Sequence, residues 1–452
     1  MRYIPMTPQQ KKGMLEAIGV DSFEALIESI PEAVRLKGAL KIPPAMAESE
    51  LEEHLLSLAR KNRDGETKKP LIGAGCYRHF IPAAVRALLQ REEFWTCYTP
   101  YQPELSQGTL QSIFEYQSYL SRLTGMEAVI PSIYDGASAT AEAALMALRL
   151  THKNRILVAS LLHPHYRETL KTYLAPHGTE IVFLPFSGGL TEQEALERAL
   201  DDRTAAVIIQ NPNFLGGLED LAKLSALIGE QALLISVTTE SMSLGLLPAP
   251  GACGVDIAVG NTQSFGMDLD FGGPHNAYLG SRKKYLRQLP GRIVGETVDR
   301  EGKRAFVMTL RAREQDIRRE KATSNICTNH NLNVTAANIF LSLLGTEGLY
   351  ETALLNTKLA HYLKGRLLSS GTFSEVYDCP FYNEFLLKVK GNPERLRQGL
   401  LDAGFIPPLA LFELYPEEAF RDVWLFAVTE IFNRKSLDRV VQILSEGGTP
   451  CN

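Results

Sequence analysis

No apolar run in this chain of 452 residues approaches the roughly 18 residues that a membrane-spanning helix needs. The opening stretch Met1-Arg2-Tyr3-Ile4-Pro5-Met6-Thr7-Pro8 lacks the apolar block of a secretory leader. Charge of one sign is scarce. The net charge is −5, acids and bases are interspersed, and no long basic run occurs. Neither nucleic acid nor an anionic membrane is therefore an expected partner. Cysteine is sparse. The six residues Cys76, Cys97, Cys253, Cys327, Cys379 and Cys451 form no CxxC, which is the pattern of reduced thiols in a cytoplasmic protein. No third ligand stands at suitable spacing from His163-Pro164-His165, so no metal is expected. Internal repeats and low-complexity linkers are absent as well.

What the chain does have is a core. Hydrophobic residues make up 45% and charged residues 22%, the balance of a globular protein, and the length suggests two or three domains. Residues 1–70 read as a helical extension broken by prolines. Thr7-Pro8 starts a first helix that Gly19 ends, Asp21-Ser22 caps a second, and Ser49–Lys61 is a third. Helices this small cannot bury their apolar stripes alone and are expected to wrap around the main domain or another subunit. Residues 71–335 form a large α/β domain. Its strands are expected at 128–133, 155–159, 180–186, 205–209, 233–237, 256–259 and 277–280, with helices between most of them. The strands are Val/Ile/Leu-rich without alternation, which points to a doubly wound, mostly parallel sheet covered on both faces. Residues 336–452 read as linking helices, with a break between Leu344 and Thr346, and a small α+β domain.

Four stretches could carry chemistry. Asp135-Gly136-Ala137-Ser138 ends a strand and opens a helix with small residues, which suits an anion at a helix N-terminus. It is equally a capped helix start. Gln210-Asn211-Pro212-Asn213 can present an amide to a ligand or be a plain turn. His163, at a strand end, can stack on a planar ligand. The aromatic loop around Tyr98, Thr99, Tyr101, Gln102 and Glu104 can line a polar site or simply pack. The run Arg311–Lys321 reads as a solvated or interface helix, and the string Thr323-Ser324-Asn325-Ile326-Cys327-Thr328 follows it.

At the tip of the strand ending near Val259 the sequence reads Asn261-Thr262-Gln263-Ser264-Phe265-Gly266. Chemistry in large α/β enzymes gathers at such tips. In enzymes built on pyridoxal phosphate this tip carries the lysine that holds the cofactor. Here there is none.

Taken together these segments resemble one family. Tyr98-Thr99-Pro100-Tyr101-Gln102-Pro103-Glu104-Leu105-Ser106-Gln107-Gly108, Asp135-Gly136-Ala137-Ser138-Ala139, Asp270-Phe271-Gly272-Gly273-Pro274 and Thr323-Ser324-Asn325-Ile326-Cys327-Thr328 are similar, in order, to the P-proteins of the glycine cleavage system, the glycine dehydrogenases (decarboxylating). The length is about half of a full P-protein and matches the N-terminal-half subunit of the two-subunit form. The resemblance implies the pyridoxal-phosphate-dependent transferase fold type I. It implies a partner, subunit 2, in an α2β2 assembly, with pyridoxal phosphate held by the partner and none bound covalently to this chain. It implies glycine as substrate of the complex and transfer of the aminomethyl group to the lipoyl arm of H-protein. Matching the family's Thr-Phe to Ser264-Phe265 puts Gln263 in the lysine's place. Matching the preceding strand puts Val237-Thr238-Thr239 where the ring-nitrogen Asp would stand. No catalytic residue is thus expected on this chain. Asp135, Gly136, Ala137, Ser138, His163, Asn211 and Gln263 become a vestigial cofactor pocket. Tyr98, Thr99, Tyr101, Gln102, Glu104, Thr323, Ser324 and Asn325 become candidates for the interface and the substrate channel. Two other readings stay open: a self-sufficient enzyme using Lys283 or Lys284, and a purely structural subunit.

Overall fold

The computed structural model describes residues 6–62, 68–95, 99–310, 314–327 and 329–446. The chain falls into two units, Met1–Asn62 and Arg63–Asn452. In the first, α1 (Pro8–Ile18) begins with a reciprocal cap between Thr7 and Gln10 and stops at left-handed Gly19, as helix-end chemistry dictates. Ser22 caps α2 (Phe23–Leu26), and α3 spans Glu48–Ala59. None of the three helices has a buried residue.

The second unit is built on a seven-stranded sheet. Its strands are β1 (Ala128–Ile133), β2 (Arg155–Ala159), β3 (Glu180–Leu184), β4 (Thr204–Gln210), β5 (Leu233–Thr238), β6 (Ile257–Asn261) and β7 (Ala277–Ser281). They lie in the order β1-β7-β6-β5-β4-β2-β3. Neighbours from β6 to β3 are parallel, and β7 runs antiparallel to both β1 and β6. Successive side chains on a strand point to opposite faces. Val207 and Ile209 accordingly join one core, with Leu110, Ile113, Tyr116 and Phe340, while Ala206 and Ile208 join another, with Ala139, Ala143, Met146 and Leu170. Burial on both sides is why the strands carry no polar alternation. The covering helices include α4 (Gln107–Thr124) on one face and α5 (Gly136–Thr151) with α6 (Pro164–Leu174) on the other.

The strand expected at 180–186 ends at Leu184, because Pro185 follows. Phe186–Ser187 instead pairs back on Leu190–Thr191 across Gly188 and Gly189, both at positive φ. A hairpin unforeseen in the sequence, Ile293–Val298 with Arg304–Thr309, packs beside α4. A helix α7 (Asn331–Ser369) is interrupted at Gly345 (φ 62°, ψ −171°), one residue beyond the expected stop at Leu344. It leads to a four-stranded antiparallel sheet containing Glu384–Val389 and Val423–Ala427, whose core holds Phe373, Phe385, Trp424 and Phe426. Of the expected charged helix, Arg311–Arg313 lie outside the described residues. The remainder is one turn, Gln315–Arg318, and a 3-10 turn, Arg319–Lys321. No described helix is long and apolar enough to cross a membrane.

Candidate functional site

The C-terminal ends of β1, β2, β4, β5 and β6 and the start of β7 meet at one edge of the sheet, where fold logic puts ligands. They deliver Asp135, His163, Gln210, Glu240, Gln263 and His275 to that edge. Gln210 ties three tips together. Its Oε1 accepts from the His163 N–H at 2.8 Å, and its Nε2 donates to the Pro212 carbonyl and to Thr239 Oγ1.

The space in front of these tips is taken by the chain's own segment Gly73–Tyr77. Gln263, buried, donates from Nε2 to the carbonyls of Tyr77 and Met267 at 2.9 Å each and accepts from the Tyr77 N–H at 3.0 Å. His163 donates from Nε2 to the Ala74 carbonyl at 3.0 Å, while its Nδ1 accepts from the His165 N–H. That pairing fixes the neutral tautomer, and burial depresses its pKa to about 4. Cys76 Sγ lies 3.4 Å from His275 Nδ1, and burial raises the thiol to about 11.

Behind the segment stands the C-terminal sheet. Glu384 accepts from the Ala74 N–H and from the Tyr77 hydroxyl, both at 2.7 Å. Fully buried, it is pushed up to about 7 by loss of water. Next to it His79 is clamped between Glu240 (3.0 Å) and Glu430 (2.9 Å). Burial opposes a charge on His79, but the Glu430 and Glu240 carboxylates outweigh it and push the imidazole up to about 10. Glu240 stands two residues past the end of β5. The sequence reading stopped at Val237-Thr238-Thr239 and missed this carboxyl. A polar residue beyond the last apolar position of the strand was the available signal.

These residues do not fit pyridoxal phosphate. Gln263, where the resemblance puts the lysine, is an amide already bonded to the Tyr77 and Met267 backbone. At the start of α5, the Ser138 N–H that a phosphate would use is taken by Asp135 Oδ1 at 2.7 Å, and a carboxylate there repels an anion. The Tyr166 hydroxyl stands so close to Gly136 that an added Cβ would lie 2.1 Å from it. Asn211 turns its Oδ1 away to accept from the Glu219 N–H at 3.0 Å, so its amide serves the turn. Gly136 and Ala137 simply open the helix. The reading with Lys283 or Lys284 is overturned by β7 being antiparallel. Ser281 pairs with Ile257, at the opposite end of β6 from Asn261, so both lysines lie at least roughly 13 Å along the sheet at about 3.3 Å per residue. Lys283 is exposed, and Lys284 lies 4.0 Å from Asp256.

The second set of candidates gathers elsewhere. Tyr98 and Thr328 lie outside the described residues. Tyr101 stacks under the Arg292 guanidinium at 5.0 Å and accepts a hydrogen bond from it at 3.2 Å. Arg292 also donates from two nitrogens to Glu314 at 2.8 Å. Burial works against the arginine charge, but Glu314 and Tyr101 overcome it and raise its pKa further. These three residues, with Arg319, Asn325 and Cys327, line an open groove of about 750 Å³. Thr99 lines a smaller cavity beside Arg292 and Asn329. Thr323, Ser324 and Asn325 wall a second groove of about 570 Å³, where Ser324 donates to Glu142 at 2.9 Å. Asn325 therefore stands on the ridge between the two grooves. Gln102 and Glu104 are exposed and line neither of these two grooves. Arg292, the centre of the arrangement, was not singled out in the sequence, where it sits in an ordinary Pro-Gly-Arg turn. Gln107 fixes the loop by exchanging hydrogen bonds with the Phe306 backbone, at 2.9 and 2.8 Å.

Comparisons with known proteins bear on the family and the fold. Residues 1–444 match the family described as the glycine cleavage system P-protein. The probable glycine dehydrogenase (decarboxylating) subunit 1 of Carboxydothermus hydrogenoformans is 46% identical over 444 residues, covering 98% of this chain and 99% of that protein. That of Desulfitobacterium hafniense is 46% identical over 446 residues, covering 99% and 100%. A crystal structure of glycine decarboxylase (P-protein) in inhibitor-bound form superposes with a TM-score of 0.86 at 41% identity, over 99% of this chain and 100% of that one. Glutamate decarboxylase of Lactobacillus brevis shares the fold alone, with a TM-score of 0.68 at 13% identity over 93% and 97%. The architecture is fold type I of the pyridoxal-phosphate-dependent enzymes.

Proposed function

The chain belongs to the glycine cleavage system P-protein family, and from this we propose that it is the subunit of a glycine dehydrogenase (decarboxylating) that carries no cofactor lysine. A partner chain of the same fold supplies the lysine and pyridoxal phosphate. The pair assembles as α2β2, removes CO2 from glycine, and hands the remaining aminomethyl group to the lipoyl arm of H-protein. When bound in the partner, the cofactor supplies the electron sink for decarboxylation.

The observation that carries the reading is Gln263. It stands at the strand tip of a fold type I sheet, and its amide is committed to the Tyr77 and Met267 backbone. This chain's contribution is the Arg292 groove. A stacked, ion-paired guanidinium with Tyr101 and Asn325 beside it can bind a carboxylate or orient a polar arm at the mouth of the partner's site. Gln102 and Glu104, on the exposed side of the same loop, face a partner or H-protein.

The test is glycine–CO2 exchange by this chain alone, by the partner alone, and by the two mixed. We expect exchange from the mixture and none from this chain. Exchange by this chain alone overturns the reading.

A further inference from the structure

We propose that Gly73–Tyr77 is a built-in occupant of this chain's own cofactor site, lying where fold type I places pyridoxal phosphate and denying that place to any cofactor. The missing lysine alone would leave an empty pocket that could still take a loose phosphate ester. The geometry goes further. Five pocket-edge or backing residues bond to the segment: His163 holds the Ala74 carbonyl, Gln263 holds both backbone groups of Tyr77, Asn261 reaches the Gly75 carbonyl at 3.5 Å, His275 contacts Cys76, and Glu384 holds the Ala74 N–H and the Tyr77 hydroxyl.

The segment's sequence is fitted to this role. Gly73 has no room for a side chain, since a Cβ there would lie 2.5 Å from Tyr77 Cε1, 2.6 Å from Glu384 Oε1 and 2.7 Å from Ala427 Cβ. Gly75 sits at φ +98°, with His163 2.9 Å from where its Cβ would be. Backbone amides and carbonyls of the segment thus satisfy His163 and Gln263, strand-tip groups that a ligand would otherwise satisfy. The inference concerns this chain's pocket alone and goes beyond the subunit reading.

The test uses the full-length chain without its partner, where Cys327 is exposed. Cys76 serves as the reporter and exposed Cys327 as the internal reference. Iodoacetamide alkylation at mildly alkaline pH, read by peptide mass, is expected to be at least about tenfold slower at Cys76 than at Cys327, and unchanged by a large excess of pyridoxal phosphate. Hydrogen exchange should find the Ala74 and Tyr77 amides protected in the same samples. Three results overturn the inference: a Cys76 as reactive as Cys327, a Cys76 whose rate pyridoxal phosphate changes in either direction, or Ala74 and Tyr77 amides that exchange as an open loop does. A reactive Cys76 in a lone chain that shows no glycine–CO2 exchange defeats this inference and leaves the subunit reading standing. A mixture that shows no exchange while Cys76 stays slow and indifferent to pyridoxal phosphate defeats the subunit reading and leaves this inference standing, whereas exchange by the lone chain needs a cofactor seated on it and defeats both.

Discussion

The proposed loss of a cofactor link rests on one side chain. Glutamine at position 263 is close to lysine in reach but carries an amide, and here that amide closes a backbone circuit. The Tyr101–Arg292–Glu314 cluster permits two separable changes. Tyr101→Phe keeps the ring under the guanidinium and removes one hydrogen bond. At about 1 kcal/mol, turnover of the reconstituted complex should fall roughly fivefold with assembly intact, and unchanged turnover would remove Tyr101 from the site. Arg292→Met strands Glu314, whose side chain is only 12% exposed, without its cation. A loss of about 3 kcal/mol in unfolding free energy is expected by denaturant titration. The buried acids also set a pH dependence. Glu384 titrates near 7 in the fold, above its ordinary 4.5. Its contribution is complete below 4.5 and gone once pH passes 7. His79 titrates near 10 instead of 6.5, so the stability it adds is full below 6.5 and lost as pH rises through 10. Both losses are incurred as pH rises, that of Glu384 between 4.5 and about 7 and that of His79 between 6.5 and about 10. The denaturation midpoint should therefore fall between about pH 6 and pH 9, and His79→Gln should flatten that fall. A midpoint that climbs with pH would contradict the assignment.

Elements were legible in proportion to how uniformly they are buried. β1 and β2 were read to the residue because every position but Arg155 is buried and a polar turn follows. The hairpin from Ile293 to Thr309 was missed because one of its faces is open: Gly295, Glu296 and Thr297 interrupt the apolar run. The segment Gly73–Tyr77 was invisible as a functional element. Its five partners, His163, Asn261, Gln263, His275 and Glu384, are scattered along the chain, and no local periodicity marks a backbone that bonds to distant side chains. Asp135, His163, Asn211 and Gln263 were legible as residues of strand ends, yet the segment lying in front of them was not. Two glycines give element-scale checks. Gly73→Ala has nowhere to place a methyl group and should cost about 1–3 kcal/mol through overpacking, read as a lowered thermal midpoint and faster exchange at Ala74. Gly345 interrupts α7 at φ 62° with open space around it. Gly345→Ala should therefore cost only the left-handed conformation, about 1 kcal/mol. A larger loss would mean that the break is held by something other than backbone freedom.

At the scale of the molecule, the sheet order and the antiparallel β7 separate what a linear reading keeps close. Lys283 and Lys284 follow the Gly-Gly-Pro turn in sequence yet sit at the far end of the sheet, which removes the one alternative that kept catalysis on this chain. The whole-molecule expectation is a division of labour. One chain brings a working cofactor and the other brings a wall, and neither alone exchanges glycine carboxyl with CO2. The bonds that hold Gly73–Tyr77 also have a direction in time. Ala74 is 310 residues from Glu384, and Phe80 is 350 from the Glu430 that receives its N–H. On the ribosome the segment emerges early and its last fastening, Glu384, follows about a minute later at roughly 5 residues per second and about 15 seconds later at roughly 20. A nascent chain stalled before residue 384 lacks the carboxylate that receives the Ala74 N–H and the Tyr77 hydroxyl. The last hundred residues thus add the final bonds, from Glu384 to Ala74 and Tyr77, to a segment that His163 and Gln263 already hold.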